Sequence, residues 1–391
     1  MRNRYLVMSF ALLAAGAGVA NAQTPCGNPA TPGCVITQVP GNNTGFGTKA
    51  AEFLLISPTA RGAALGDAYA ANATDVSALF YNPAGLSQMA RPELNASTTS
   101  YLADTKYTWV GLGLPFGGGS RAIGFQIGSF GFSGQPVYTV EDPTGTSQQV
   151  YGVSETYVGL TYSQQFSDRF STGVTLKYIN DQLGDVSGRA FAIDFGTSFH
   201  ATVNGRPIRA AFTVQNLGST LRHTGKALDA TILRQPPQDQ QQVPQEPAAA
   251  ELKAKDWDLP VQFRVALAYD LFTTPMSRFS LLGQFTQPNN NEPTFGFAGE
   301  YAVKLGTSGF ELAPRMSYTY QPANSLNPSD ASAPDYAGFN TTVSNGSYGF
   351  AYGGGISYRK NPRGLGFGVD YALKSFGPLG NVNVVSVGLS W

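Results

Sequence analysis

The sequence predicts an all-β fold: a fourteen-stranded antiparallel transmembrane β-barrel with a small N-terminal α-helical hatch, or plug, in its lumen. Lipid offers no hydrogen bonds to the backbone, so only helices and closed barrels cross a membrane. Beyond residues 1–22, no apolar stretch approaches the roughly 20 residues of a spanning helix. The 391-residue chain is rich in Gly (46), Phe (25) and Tyr (19), with 13% charged residues. Strands must therefore cross the membrane.

The C-terminal strand shows the clearest alternation. A barrel strand needs apolar side chains toward lipid and small or polar side chains toward the lumen. The apolar set is Val385, Val387, Leu389 and Trp391, and the opposite face carries Ser386, Gly388 and Ser390. Val387, Leu389 and Trp391 are also the expected C-terminal assembly signal, which makes the barrel-assembly machinery a partner besides outer-membrane lipid. A soluble sandwich strand could alternate in the same way, but the N-terminus argues against it.

Residues 1–22 are predicted to be an export signal. Arg2 and Arg4 precede an apolar run over 5–19, and Ala20 and Ala22 form a small-x-small cleavage site. The run is too short for a permanent membrane helix. Together with the barrel pattern, the signal predicts that the protein lies in the bacterial outer membrane.

Residues 23–44 are predicted to be an irregular periplasmic tail, because they are rich in Pro, Gly and Asn. Cys26 and Cys34 lie in this tail. The periplasm is oxidising, so we expect them to form a disulfide. A metal site is less favoured, because the chain has no second cysteine pair and two histidines.

Residues 45–92 are predicted to form the hatch. Small residues dominate positions 60–73, and Ala favours short helices. Thr74 or Asp75 can cap a helix whose last turn Pro83 and Gly85 then end.

Residues 93–391 are predicted to form the barrel, as alternating segments separated by Gly, Asn, Pro and Asp. The predicted strands are 93–103, 106–116, 121–132, 154–166, 169–181, 189–202, 207–217, 259–271, 277–287, 293–304, 308–320, 348–360, 363–374 and 382–391. An even number returns both ends of the sheet to the periplasmic side. The longest connections, about 133–153, 218–258 and 321–347, all follow odd-numbered strands. External loops are expected at those positions, which supports the count.

Two strands alternate cleanly enough to assign faces. Odd-numbered residues over 261–271 and 365–373 are apolar and predicted to face lipid, whereas the even-numbered residues face the lumen. The predicted luminal charges are Lys177, Asp194, Arg264, Glu300 and Asp370. Lys or Arg on the lipid face would cost about 2–4 kcal/mol at mid-depth. These charges either form a polar lumen or ligand site, or pair with one another and with the hatch; we favour the pairing.

Several motifs resemble the PorV/PorQ family, a branch of the FadL-type outer-membrane barrels. They are GTKAAEFLLI at 47–56, ARGAALGDAYA at 60–70, DVSALFYNPAGL at 75–86, VQNLG at 214–218 and VDYALKSFGPLGN at 369–381. The sequence departs from the usual pattern at residues 64–67 and at Tyr81, where Trp is common. The resemblance covers nearly all the mature chain and implies a fourteen-stranded barrel whose N-terminal segment folds into the lumen as a hatch.

The hatch motif has two possible roles. Its residues are Arg61, Asp75, Tyr81, Asn82, Pro83, Ala84 and Gly85. Barrels of the transport branch hold hydrophobic ligands beside the hatch, so the resemblance implies a possible ligand site here. Alternatively, the motif shapes and anchors the plug.

Two functions stay open, and neither is enzymatic. The resemblance to PorV/PorQ implies that the protein binds exported proteins or secretion-system subunits, as a shuttle or scaffold in type IX-like secretion. Its Pro/Gln-rich external loop suits ordering on such a partner. The alternative is a FadL-like passive transporter of a hydrophobic small molecule, a fatty acid or hydrocarbon, with a wall opening that Gly124, Gly128 and Gly131 would permit.

Composition excludes other classes. The chain has 25 basic residues (Lys and Arg) and 25 acidic residues (Asp and Glu). Because phosphate binding needs a clustered positive field, no nucleic-acid partner is expected. We find no nucleophile motif and no nucleotide-binding motif, and we predict no cofactor, no metal site and no catalytic residue.

Overall fold

The computed structural model describes residues 47–138, 140, 142–145, 150–233, 247–321, 349–361 and 364–391. The predicted export signal, the tail with Cys26 and Cys34, and the centres of two external loops, at 234–246 and 322–348, lie outside the described residues. Within the described ranges, none of the helices has the length and apolarity that a membrane span requires.

Fourteen antiparallel strands close into a barrel, as the sequence predicts. The strands in chain order are β1 (Glu93–Ser100), β2 (Lys106–Phe116), β3 (Arg121–Pro136), β4 (Val150–Ser167), β5 (Phe170–Leu183), β6 (Val186–Val203), β7 (Arg206–Gly218), β8 (His223–Gly225), β9 (Asp229–Leu233), β10 (Pro247–Glu251), β11 (Gln262–Thr273), β12 (Ser277–Pro288), β13 (Thr294–Lys304), β14 (Phe310–Tyr320), β15 (Phe350–Tyr358), β16 (Gly366–Ser375) and β17 (Asn381–Ser390). Each barrel strand pairs with its neighbour in the chain, and β1 pairs with β17 to close the ring.

Three short strands, β8 to β10, are not part of the ring. They lie in the long connection between β7 and β11, where β9 pairs with β10 and β8 adds to β6. Each of the fourteen predicted strands matches a barrel strand, with ends that differ by at most four residues. The largest differences are in β3 and β4, because their hairpin continues beyond a bulge at Phe132 to Gln135.

The predicted faces of the strands are observed. In β11, Val265 and Leu267 are 42% and 54% exposed, whereas Arg264 and Ala266 are 2% and 1% exposed. Strands β16 and β17 repeat the pattern, with Phe367 to Tyr371 and Val385 to Leu389 alternately exposed. Apolar side chains therefore cover the outside of the ring, which suits contact with hydrocarbon.

Residues 51–89, here called the inner segment, pack against the inward-facing side of the barrel strands. The segment contains two short α-helices, α1 (Ala60–Ala64) and α2 (Ala78–Tyr81), and 3₁₀ helices at Glu52–Leu55 and Pro83–Gln88. Further 3₁₀ turns lie in connections, at Leu102–Asp104, Gly117–Gly119, Lys226–Leu228 and Gly377–Leu379.

The small residues of the inner segment allow this close packing. Ala60, Ala63 and Ala64 of α1 contact Ala372 of β16 and Val384 of β17. The Thr59 hydroxyl caps α1 by accepting a hydrogen bond from the Gly62 backbone. Helix α2 ends at Asn82, whose backbone is extended, and Pro83 begins the next 3₁₀ helix.

Candidate functional site between the inner segment and the barrel wall

The turn Asn82–Gly85 packs on two glycines of the barrel wall, Gly173 of β5 and Gly196 of β6, here called the glycine dock. A Cβ atom on Gly196 would lie 2.2 Å from Asn82 Oδ1, and one on Gly173 would lie 2.3 Å from the Pro83 carbonyl carbon. Any side chain at these positions would therefore displace the turn. At these two positions the wall has no side chain, which leaves room for the turn.

Hydrogen bonds hold the turn on the glycine dock. Asn82 Nδ2 donates to the carbonyls of Ala70 and Thr197, both at 3.1 Å, and Oδ1 accepts from the Ala84 backbone at 3.1 Å. The Ala84 carbonyl accepts from the hydroxyls of Ser163 and Ser171, at 3.0 and 3.1 Å. The Asn82 amide is thus occupied by the protein itself, which favours anchoring of the hatch over ligand binding by this residue.

We expect Asn82→Ala to destabilise the protein by about 1–3 kcal/mol, because it removes the side-chain donor of the buried Ala70 carbonyl and the acceptor of the Ala84 backbone N–H. Urea unfolding in detergent micelles, followed by the fluorescence of buried Trp109, measures this loss. Asn383→Ala is the matched control, because Asn383 accepts one exposed hydrogen bond, from Tyr371. Equal stabilities of the two variants would contradict the anchoring role.

On the other side of the inner segment, ion pairs join it to the wall. These ion pairs form one continuous series, here called the charge ladder, which runs in order through Asp75, Arg61, Glu300, Arg315 and Asp370. Arg61 Nη1 lies 2.7 Å from Asp75 Oδ2 and Arg61 Nη2 lies 2.8 Å from Glu300 Oε1. Arg315 Nε lies 2.7 Å from Glu300 Oε2, and Arg315 Nη1 pairs with Asp370. Two hatch residues are thus linked to two of the predicted luminal carboxylates.

Two members of this cluster were not predicted from the sequence. Arg315 lies opposite Glu300 in the β13–β14 register, and Arg278 of β12 donates to Glu300 at 3.0 Å. The available signal was the alternation of β14, in which Ala313, Arg315 and Ser317 share the inward face. Glu300 accepts from three arginines and is 1% exposed.

The remaining predicted luminal charges lie elsewhere. Lys177 and Asp194 form a buried pair at 2.7 Å, and the Asn216 side chain and backbone bond to both. Arg264 has no ion pair among the described residues and lies instead against the rings of Phe80 and Tyr81.

Tyr81 is an aromatic contact inside the inner segment. Its ring lies edge-on to Tyr69 and Phe80, with centroids 5.2 and 5.0 Å away. Burial, with the negative charge of Asp67, raises the pKa of the Tyr81 hydroxyl well above its ordinary value, so the phenol is neutral. A Cβ on Gly62 would overlap this ring, so Gly62 is needed there.

A polar cavity of about 740 Å³ lies next to the charge ladder. It is bounded by β12 to β17 and by the turns at Gly306 and Lys360, at the end of the barrel that the sequence predicts to face the periplasm. Charged side chains of both signs line it. Within the described ranges, no group of three or more His, Cys, Asp and Glu residues is placed to hold a metal ion.

A second concavity, here called the apolar groove, has a volume of about 670 Å³ and crosses the lipid-facing side of β2 to β6. Exposed apolar side chains line it: Phe125, Ile127, Val158, Leu160, Leu176, Phe191 and Ile193, together with the half-buried Leu112. Gly159 and Ala192 also border the groove, and these strands meet the inner segment on their other face.

The wall behind the apolar groove is continuous. Strand β3 pairs with β2 and with β4 without interruption from Arg121 to Gly131. Gly124 and Gly128, expected to permit a kink, instead leave room for Leu79 and Tyr157 on the inner face. In this part of the described wall the strands therefore leave no lateral gap.

Solved structures share this architecture, whereas no protein-family model and no curated protein matches the sequence. The deltaS2S3 mutant of the monoaromatic hydrocarbon channel TodX is 10% identical, with a TM-score of 0.50 over 85% of this chain and 97% of that chain. The toluene transporter TbuX of Ralstonia pickettii is 10% identical, with a TM-score of 0.46 over 81% and 92% of the two chains. A FadL homologue from Pseudomonas aeruginosa is 10% identical, with a TM-score of 0.47 over 86% and 98%.

These similarities concern the fold. TodX is named as a channel and TbuX as a transporter, and at 10% identity neither description extends to this chain. The closed ring and its apolar outer surface agree with this likeness in fold: the chain is a fourteen-stranded antiparallel β-barrel of the bacterial outer membrane.

Proposed function

We propose that the protein is a passive transporter of small hydrophobic compounds across the outer membrane. The observation that carries the proposal is the apolar groove. Its position directly outside the strands that hold the inner segment suits a compound moving between the barrel and lipid. An apolar solute can lie against this lining without losing any hydrogen bond, whereas a polar or charged solute would be left unsatisfied there.

The inner segment acts in this proposal as the hatch. It is fixed to β5 and β6 by the glycine dock and to β13, β14 and β16 by the charge ladder. A lumen occupied in this way disfavours free diffusion of water-soluble solutes. Selectivity for apolar compounds then follows from the apolar lining of the groove, because a polar solute there would lose its hydrogen bonds with water.

The likeness to known barrels supports the fold class on which this proposal rests. TodX is a monoaromatic hydrocarbon channel, and at 10% identity the likeness to its mutant shows the fold alone. The chemistry of the groove therefore carries the choice of solute class. Monoaromatic compounds fit its volume as readily as short alkyl chains do.

A role in type IX-like secretion, implied by the PorV/PorQ resemblance, is the less supported alternative. It depends on the external loop between β7 and β11, whose central residues 234–246 lie outside the described part of the chain. The described residues favour transport instead, through the groove. A deletion strain that loses secretion of exported proteins while its dye uptake is unchanged would favour the alternative.

Filling the groove tests transport. Val158 lines the groove and is 47% exposed, whereas Val265 is 42% exposed on β11, away from it. We expect Val158→Trp to reduce the uptake rate of N-phenyl-1-naphthylamine, an uncharged dye that fluoresces in membranes, by several-fold in cells expressing the protein. Val265→Trp should leave the rate unchanged, because Trp is tolerated on a lipid face.

The result is read against the amount of folded protein in the outer membrane, measured by heat-modifiable migration on gels. Unchanged uptake in folded Val158→Trp, or an equal loss in folded Val265→Trp, would refute the assignment of the groove.

A further inference from the structure

Arg264 is a buried cation that lacks a carboxylate partner among the described residues. Its side chain projects inward from β11 and is 2% exposed. The guanidinium carbon lies 5.7 Å from the Phe80 ring centroid and 5.9 Å from that of Tyr81. Its Nε and Nη1 atoms are buried and have no hydrogen-bond acceptor within the described chain.

The carboxylates within electrostatic reach of Arg264 are already paired. These carboxylates are Asp67 and Asp194, whose negative charges interact with the Arg264 guanidinium. Asp67 Oδ2 lies 2.9 Å from Lys374 Nζ, and Asp194 Oδ2 lies 2.7 Å from Lys177 Nζ. Within the described chain, three cations thus share two carboxylates, so one positive charge has no counter-ion among those residues.

The charge ladder does not supply the missing charge. Arg61, Arg278 and Arg315 are matched there by Asp75, Glu300 and Asp370. Burying an ion without a counter-ion costs much more than contact with an aromatic face returns. A water molecule would satisfy the free N–H groups of Arg264 but would leave the charge unbalanced.

A further unpaired donor lies beside Arg264. Thr213 of β7 is directly opposite Arg264 in the strand register, is fully buried, and its hydroxyl has no partner within the described chain. The hydroxyl of Thr213 and the two guanidinium nitrogens are donors on the same inward face. They match a ligand that only accepts hydrogen bonds.

We propose that a small inorganic monovalent anion, such as chloride, binds to Arg264 beside Thr213 as a structural counter-ion. One negative charge neutralises the cluster, and the small exposed fraction of Arg264 excludes a bulky organic anion. The site is independent of the transport function. It would fix the inner segment through the Phe80 and Tyr81 rings that lie against Arg264.

Bromide is the probe, because it replaces chloride and gives an anomalous X-ray signal. Crystals of the full-length protein grown in sodium bromide should show an anomalous peak within hydrogen-bonding distance of Arg264. A peak elsewhere, or a water molecule at this position without a bromide signal, would overturn the proposal.

A stability measurement gives a second readout. The melting temperature of the wild-type protein in detergent should be higher in sodium chloride than in sodium gluconate of equal ionic strength. Arg264→Met should abolish this difference, whereas Arg278→Met, which removes a cation paired with Glu300, should keep it. A difference that persists in Arg264→Met would also refute the site, and if that variant does not fold, the bromide experiment decides.

Discussion

Glu300→Gln is expected to destabilise the protein by about 3–5 kcal/mol, the cost of breaking a buried ion pair by removing one partner. The Glu300 carboxylate accepts from Arg61, Arg278 and Arg315, so its loss leaves three cations with less negative charge around them. The midpoint of urea unfolding in detergent micelles should move to a lower urea concentration. The slope of the unfolding free energy against urea concentration should not change.

A double variant separates the ion pair from general damage. Arg61 and Glu300 are in contact, so Arg61→Gln combined with Glu300→Gln should cost clearly less than the sum of the two single changes. The control is Asp256→Asn, which removes an exposed loop pair with Arg222 and should not measurably change stability. The charge ladder does not hold the inner segment if the double variant loses as much stability as the two single variants together. The same conclusion follows if Glu300→Gln is as stable as Asp256→Asn.

Gly173→Ala is expected to release the Asn82–Gly85 turn from the wall. The added methyl group would lie 2.3 Å from the Pro83 carbonyl carbon and 2.4 Å from its oxygen, so backbone has to move. Overpacking of this kind costs about 1–3 kcal/mol. Limited chymotrypsin digestion of the barrel in micelles should then cut after Tyr81, directly before this turn, at least several-fold faster than in the wild-type protein.

Gly283→Ala is the matched control for this change. Gly283 also lies within a barrel strand, β12, and a Cβ there meets nothing within 4 Å. We expect its digestion rate and stability to equal those of the wild-type protein. If Gly173→Ala digests at the wild-type rate, the glycine dock does not fix the inner segment.

The strand pattern could be predicted from the sequence because it depends on local alternation. A period of two places Leu267 outside and Arg264 inside whatever the partner strands are. The number of strands could be predicted from the same alternation, because turns and long connections separate one alternating run from the next. Strand ends at β3 and β4 were less predictable, because a bulge extends that hairpin beyond Phe132.

The pairing of charges could not be predicted in the same way. Glu300 meets Arg61 because of how the inner segment folds, and it meets Arg315 because of the register between β13 and β14. Neither is a local property. The expectation that each luminal charge pairs does not describe Arg264, whose nearby carboxylates bind lysines instead.

The apolar groove was also beyond the reach of the sequence. Its lining comes from five strands, and each strand alone shows an ordinary alternation of apolar and small residues. Under the transport alternative, the glycines of β3 would permit a kink that opens the wall. They instead accept side chains such as Leu79 from the inner segment, which brings the wall and the segment into close contact.

The central claim is that the barrel admits apolar compounds and excludes water-soluble ones. The direct test compares the uptake of N-phenyl-1-naphthylamine with that of nitrocefin, a water-soluble substrate of periplasmic β-lactamase, in the same cells with and without the protein. The account predicts that the protein raises dye uptake several-fold and leaves nitrocefin hydrolysis unchanged. Faster nitrocefin hydrolysis with unchanged dye uptake would contradict it.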